Sequence, residues 1–141
     1  TSIEYVRQFL KGKFPAAPKW GVLISDVRDV AKSHVACIGN KKVGGRRLIV
    51  GKEVKKLIEL SQIMSDALPG YAKKLPKKEL PNFMVKLISY LDSSAKTMIP
   101  DLEIVMQPQS SYAEELLGMK FKSAKGAITD AARSVVKLGL V

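Results

Sequence analysis

An α/β fold, mostly helical, is the class this sequence predicts, and three observations predict it. The apolar run Val22-Leu23-Ile24 passes directly into a capped helix, a second β-prone run occupies Arg46–Val50, and the chain beyond residue 50 is mainly helical in period with clear stops. Strand, crossover helix and parallel strand would then form a small unit closed by C-terminal helices. At 141 residues, one domain burying roughly 70% of its extended surface is expected.

Each element follows from local chemistry. Ser2 can cap a first helix beginning at Ile3. Val22 to Ser25 reads as a short buried strand. Next, Val27, Val30, Ala31, His34, Val35 and Ile38 recur at helical spacing as one apolar stripe expected to face the core, with His34 a packed or rim residue and Cys37 plain packing. Asp26 is placed to accept the first free N–H groups of that helix, Asp29 lies where negative charge suits the helix dipole, and Gly39-Asn40 supplies a left-handed stop. After Gly44-Gly45, Arg46–Val50 makes the second strand, parallel to the first and reached by a right-handed connection.

Lys52, Lys55 and Lys56 then fall in the first turns of a helix through Val54, Leu57, Ile58, Met64 and Leu68 that stops at Pro69-Gly70. Tyr71 to Pro81 reads as a lysine-rich polar loop and the one plausible hinge. Asn82 can cap a helix through Phe83, Val85, Leu87, Ile88 and Leu91 that loses regularity before Pro100. Ser110 or Ser111 starts a short helix stopping at Gly118, and Ser123 caps a last one through Ala127, Ile128, Ala131, Val135 and Leu138 that stops at Gly139.

Composition excludes several functions. Cys37 is the only cysteine, so neither an intrachain disulfide nor a cysteine-based zinc site is available, and no metal site is expected. No apolar run approaches the roughly 20 residues that span a bilayer, and no membrane association is expected. Gly45 and Gly51-Lys52 do not make a phosphate-binding loop: the interval is one residue too long, and Glu53 stands where a magnesium-binding hydroxyl is required. The formal charge of +11 is asymmetric, with 13 Lys/Arg against 4 Asp/Glu in residues 1–57 and 11 against 9 in 58–141. Such a basic half suits phosphates, but its lysines are scattered and no aromatic residues interleave with them, so a solvated surface is expected ahead of nucleic acid. Glu114-Glu115 and Asp130 read as solvated surface.

The stretch Asp26-Val27-Arg28-Asp29-Val30-Ala31-Lys32-Ser33-His34, set between two β-prone runs, resembles the C-terminal part of the extended short-chain dehydrogenase/reductases. The resemblance extends to Thr1-Ser2 at a helix start and to Leu116-Leu117-Gly118-Met119-Lys120-Phe121 before a last amphipathic helix. It points to the branch of dihydroflavonol reductase-like enzymes and fungal methylglyoxal or ketone reductases, with a nucleotide-sugar epimerase or dehydratase of the same wider family as the second enzyme reading. It implies an NADP- or NAD-dependent, cytoplasmic carbonyl reductase acting on an aldehyde or ketone. In that branch a Thr-Ser pair reaches the nicotinamide, which makes Thr1 and Ser2 the cofactor contacts. Tyr5 and Phe9, one turn apart on one face, and Phe83 and Met84 (with Tyr90) are then candidates for the substrate pocket wall.

The same resemblance shows what the chain does not contain. No G-x-G-x-x-G or G-x-x-G-x-x-G occurs, and Tyr5, Tyr71, Tyr90 and Tyr112 are followed four residues later by Phe9, Leu75, Ser94 and Leu116, never by the lysine of a Tyr-x-x-x-Lys pair. The chain also begins at Thr1. Residues 1–141 are therefore expected to be the substrate-side portion of a reductase, inactive and without bound cofactor unless joined to a nucleotide-binding portion. Without that portion an exposed strand edge and apolar surface should drive self-association. The rival expectation is a freestanding basic module that binds nucleic acid.

Overall fold

The structure, a computed structural model, describes residues 2–90, 99–102 and 108–141. In chain order it contains α1 (Ser2–Leu10), β1 (Ala17–Pro18), β2 (Gly21–Ile24), α2 (Val27–Cys37), β3 (Glu53–Lys56), α3 (Leu57–Ala67), β4 (Glu79–Leu80), α4 (Asn82–Ile88), α5 (Ser111–Leu117) and α6 (Ala124–Lys137). Short 3-10 turns lie at Lys41–Val43, Pro69–Tyr71 and Ile99–Asp101. The class is the expected mostly helical α/β.

Its strands are paired differently from the expectation. β2 runs antiparallel to β3, with Leu23 opposite Val54 and Ile24 opposite Glu53, while β1 pairs in parallel with β4, Ala17 opposite Glu79 and Pro18 opposite Leu80. Arg46–Val50 therefore is not the second strand of a parallel unit. That run meets β2 only at its end, where the Ser25 hydroxyl donates to the Val50 carbonyl, and Lys52 N donates to Ile24 O at 3.3 Å. Between them Gly51 lies so close to Leu23 that a Cβ would sit 2.8 Å from its Cγ and Cδ1. The chain turns at this contact, and the ladder forms with the following residues. Lys52, Lys55 and Lys56 consequently precede the helix; α3 starts at Leu57, its entry held by Glu59, which accepts from Lys56 N at 2.7 Å.

The core is a layer of three helices. Val6, Phe9 and Leu10 of α1 meet Leu57, Leu60 and Met64 of α3 and Ala124, Ile128, Ala132 and Val135 of α6, with Ala17 and Leu75 filling the ends. The inward residues of α6 are spaced four, four and three, as a helix stripe requires. They include Ala124 and Ala132, whereas Leu138 is exposed. Ser123 accepts from Gly126 N at 3.3 Å, and positive φ at Gly118 and Gly139 closes the last two helices as expected, while Ser110 stands at the start of α5 without a side-chain capping bond.

Helix α2 reverses its expected face. Val27, Val35 and Ile38 are 77%, 69% and 81% exposed, and His34 and Ala31 also face outward, while the buried residues are Asp29 and Ser33. The polar face is held to the C-terminal region by hydrogen bonds: Asp29 accepts from Lys122 N at 2.6 Å, Ser33 Oγ donates to Met119 Sδ at 3.6 Å, and Asn40 Nδ2 donates to Leu116 O at 3.4 Å. A helix anchored by its polar face must present its apolar stripe outward. Cys37 is free and half-buried.

Two further expectations change. Tyr71–Pro81 is tied down and is not a free hinge: Leu75 is buried, Ser61 Oγ donates to Pro76 O at 2.6 Å, Ala17 N donates to Lys78 O at 2.9 Å, and Glu79–Leu80 is β4. Asn82 does not cap α4 but is its first residue, with Pro81 at the cap position. Only Val85 of that helix is buried. The helix ends at Ile88 with Ser89 at its C-cap, short of the expected Leu91, which lies outside the described residues.

Candidate functional site

The stretch that carried the family resemblance is a clamp. Asp26 accepts from Arg28 N at 2.8 Å, as a helix cap should, and the same carboxylate takes Arg28 Nε at 2.8 Å and Nη2 at 2.5 Å. The guanidinium extends to Asp130 of α6 at 2.6 Å, so Asp130 is paired across the fold and is not merely solvated surface. Glu114 is likewise more than surface: it accepts from Phe121 N at 2.8 Å and pairs with Lys52 at 2.9 Å, contacts that lower its pKa in that order.

Asp26 titrates at about 2, below its ordinary 3.8, chiefly because the Arg28 side chain hydrogen-bonds the carboxylate. A folded value below the unfolded one means stability that is complete above pH ~4 and is lost as pH falls through ~2. Because Arg28 is 46% exposed, solvent screening limits this contribution to about 1 kcal/mol. Thermal melts at pH 6, 4 and 2 should show a smaller loss for Asp26→Asn than for the parent chain between pH 4 and 2. Equal losses would remove the clamp from the acid response.

The candidate site residues divide. Thr1 lies outside the described residues, and Ser2 is the first residue of α1, not the expected cap of a helix starting at Ile3. Tyr5, one turn on, is half-buried and edge-on to Trp20, with ring centroids 6.1 Å apart. Phe9 is 1% exposed and tilted against Phe14 at 4.9 Å, so it belongs to the core and not to a pocket wall. The reason is depth: a further turn along α1 carries the same face under α3 and α6. Phe83 is 70% exposed, Met84 is exposed beside it, and Tyr90 is exposed as well.

The pairing of β1 with β4 supplies what the sequence did not. Trp20 and Asn82 each lie two residues beyond the paired Pro18 and Leu80, and Trp20 also meets the Tyr5 ring. Trp20 Nε1 and Asn82 Oδ1 are both buried and have no hydrogen-bond partner among the described residues. An unspent donor and an unspent acceptor are the kinds of group that recognition of a carbonyl or hydroxyl uses. Trp20 carries no periodic or motif signal, and Asn82 was legible only as a cap. Among the described residues no group of three or more His, Cys, Asp or Glu side chains is placed to hold a metal, and none of the helices is long and apolar enough to cross a membrane. His34 is exposed, its Nδ1 2.8 Å from Val30 O.

No family model matches the sequence, and no curated protein matches it. Solved structures do. Gre2 from Candida albicans in complex with NADPH superposes with TM-score 0.68 at 22% identity, over 97% of this chain and 36% of that one. The yeast methylglyoxal/isovaleraldehyde reductase Gre2 complexed with NADPH gives TM-score 0.66 at 22% identity, over 98% and 41%. The protein gox2253 gives 0.74 at 21% identity, over 98% and 44%. The chain thus has the fold of part of these proteins and spans less than half their length.

Proposed function

We propose that this chain is the substrate-side portion of an NADPH-dependent reductase of aldehydes or ketones, working with a nucleotide-binding portion that supplies the glycine-rich turn and the Tyr-x-x-x-Lys pair. The observation that carries the reading is the agreement of nearly the whole chain with part of a reductase fold captured with NADPH. Thr1 and Ser2 would face the nicotinamide. Tyr5, Phe83 and Met84 would wall the substrate cleft, Trp20 Nε1 would donate to the substrate oxygen, and Asn82 Oδ1 would accept from a neighbouring hydroxyl. Proton delivery and hydride transfer would belong to the other portion and its cofactor, in a cytoplasmic enzyme.

The outward stripe of α2 and the unladdered, β-prone Arg46–Val50 support the reading, since a segment shaped to join a larger sheet leaves such surfaces open when alone. By itself the 141-residue chain should neither bind cofactor nor turn over, and should self-associate through that face at micromolar concentration in sedimentation. The decisive test is expression from the native reading frame, with intact mass and oxidation of NADPH and NADH measured against a panel of aldehydes and ketones. A product longer by roughly 150–200 residues that oxidises either cofactor is the expected result. A native product of this length, monomeric and inert toward both, would overturn it.

A further inference from the structure

We infer that the chain carries a second binding surface, a lysine platform made of Lys11, Lys13, Lys73, Lys74, Lys77 and Lys78, which holds the phosphate backbone of double-stranded nucleic acid without reading its sequence. This is independent of the reductase reading. In sequence these lysines belong to two groups some sixty residues apart, and the first lies in the basic half, the second outside it. The fold joins them. Gly12, with φ +73°, approaches Lys74 so closely that a Cβ there would stand 3.3 Å from Lys74 Cβ, and Ala17 N bonds to Lys78 O at 2.9 Å. The Ser61 contact to Pro76 fixes the segment between the lysine pairs.

The charges on this face stay largely unspent. Several basic side chains elsewhere are paired: Arg7 with Glu4, Arg28 with Asp26 and Asp130, Lys52 with Glu114, Lys55 with Glu53 and Glu59. All six platform lysines are exposed; Lys74 lies over the Tyr71 ring, and Lys13 feels Glu4 at a distance. Residues 11–19 and 71–78 contain no acid, the nearest in sequence being half-buried Glu79. The excess of charge read from residues 1–57 is thus partly neutralised in the fold, while a surface that the sequence showed as scattered lysines becomes continuous.

The chemistry of the platform selects its partner. It consists of lysines alone, point charges that suit phosphate oxygens and lack the planar fork of arginine that reads guanine edges. Leu75 and Pro76, the apolar residues between the lysine pairs, are buried, so nothing stands ready to insert into a bilayer as a surface-bound membrane protein requires. Tyr71 is covered by Lys74, which removes the stacking face that a single-strand binder uses. What remains fits a duplex backbone.

The test is fluorescence anisotropy of the full chain with a labelled random-sequence duplex across a salt series. Each phosphate neutralised contributes about −0.9 to the slope of log affinity against log salt. Replacing Lys73, Lys74, Lys77 and Lys78 together by Gln should weaken binding at least about tenfold and flatten the slope by about 3–4. The control replaces Lys32, Lys120, Lys125 and Lys137 by Gln, the same change in net charge on other exposed positions, and should shift affinity less than about twofold. Circular dichroism establishes that both variants are folded. Equal losses in the two variants would mean that total charge and not the platform binds, and would overturn the inference. Binding to phosphatidylserine vesicles without duplex binding would also overturn it, in favour of a membrane.

Discussion

Replacing Phe9 by alanine is expected to lower the unfolding free energy by about 3–5 kcal/mol, the usual cost of emptying a buried aromatic site. Phe9 is 1% exposed and shares its cluster with Leu57, Met64, Ile128 and Val135, side chains brought together from α1, α3 and α6. Its loss opens a cavity where these three helices meet, and the neighbouring Phe14 ring, tilted against it at 4.9 Å, loses its partner. Domains of this size are stable by only about 5–15 kcal/mol, so this loss is a large fraction of the total. Urea denaturation followed by circular dichroism measures the effect, and Phe9→Leu, which keeps most of the volume, should cost less than about half as much. If Phe9→Ala left the urea midpoint unchanged, Phe9 would line an open cleft, as its spacing from Tyr5 suggests in the bare sequence.

The second large effect is expected at Asp29. Asp29→Ala should destabilise the chain by about 1–3 kcal/mol, because it strands the Lys122 N–H whose 2.6 Å bond the buried carboxylate accepts. That bond joins α2 to the segment entering α6, positions 93 apart in the sequence. With Ser33 and Asn40 it makes the polar attachment that turns the apolar stripe of α2 outward. Asp29→Asn retains an acceptor oxygen and should recover part of the loss. An alanine variant within about 0.5 kcal/mol of the parent chain would show that the attachment rests on Ser33 and Asn40 alone.

The same residues show how far sequence reading extends. Asp26 and Ser123 as caps, and Gly118 and Gly139 as stops, were legible because a cap is a bond between a side chain and a backbone group two or three residues away. The capping role of Asp26 was visible for that reason, but its clamp through Arg28 to Asp130, 102 positions from Arg28, was not. Asp29 was read as a dipole partner; its bond to Lys122 belongs to a contact that no local pattern signals. Thr1, Ser2, Tyr5, Phe9, Phe83 and Met84 became candidates through the family resemblance. Trp20 and Asn82 did not, because the role proposed for them rests on buried polar atoms unpaired among the described residues, beyond a two-residue parallel bridge.

The sequence by itself determined the mostly helical α/β class, the caps and stops at Asp26, Gly118, Ser123 and Gly139, and the likeness to a reductase portion lacking its glycine-rich turn. Only the tertiary structure decided which segment pairs with β2, which face of α2 looks inward, and which lysines stand together. Caps and turns are set by interactions of a few residues, whose free energies are similar in any surroundings. A strand partner, a buried face or a charge cluster is chosen by competition among contacts distant in sequence. Gly51 against Leu23, Asp29 against Lys122 and Gly12 against Lys74 are the contacts that decided them here.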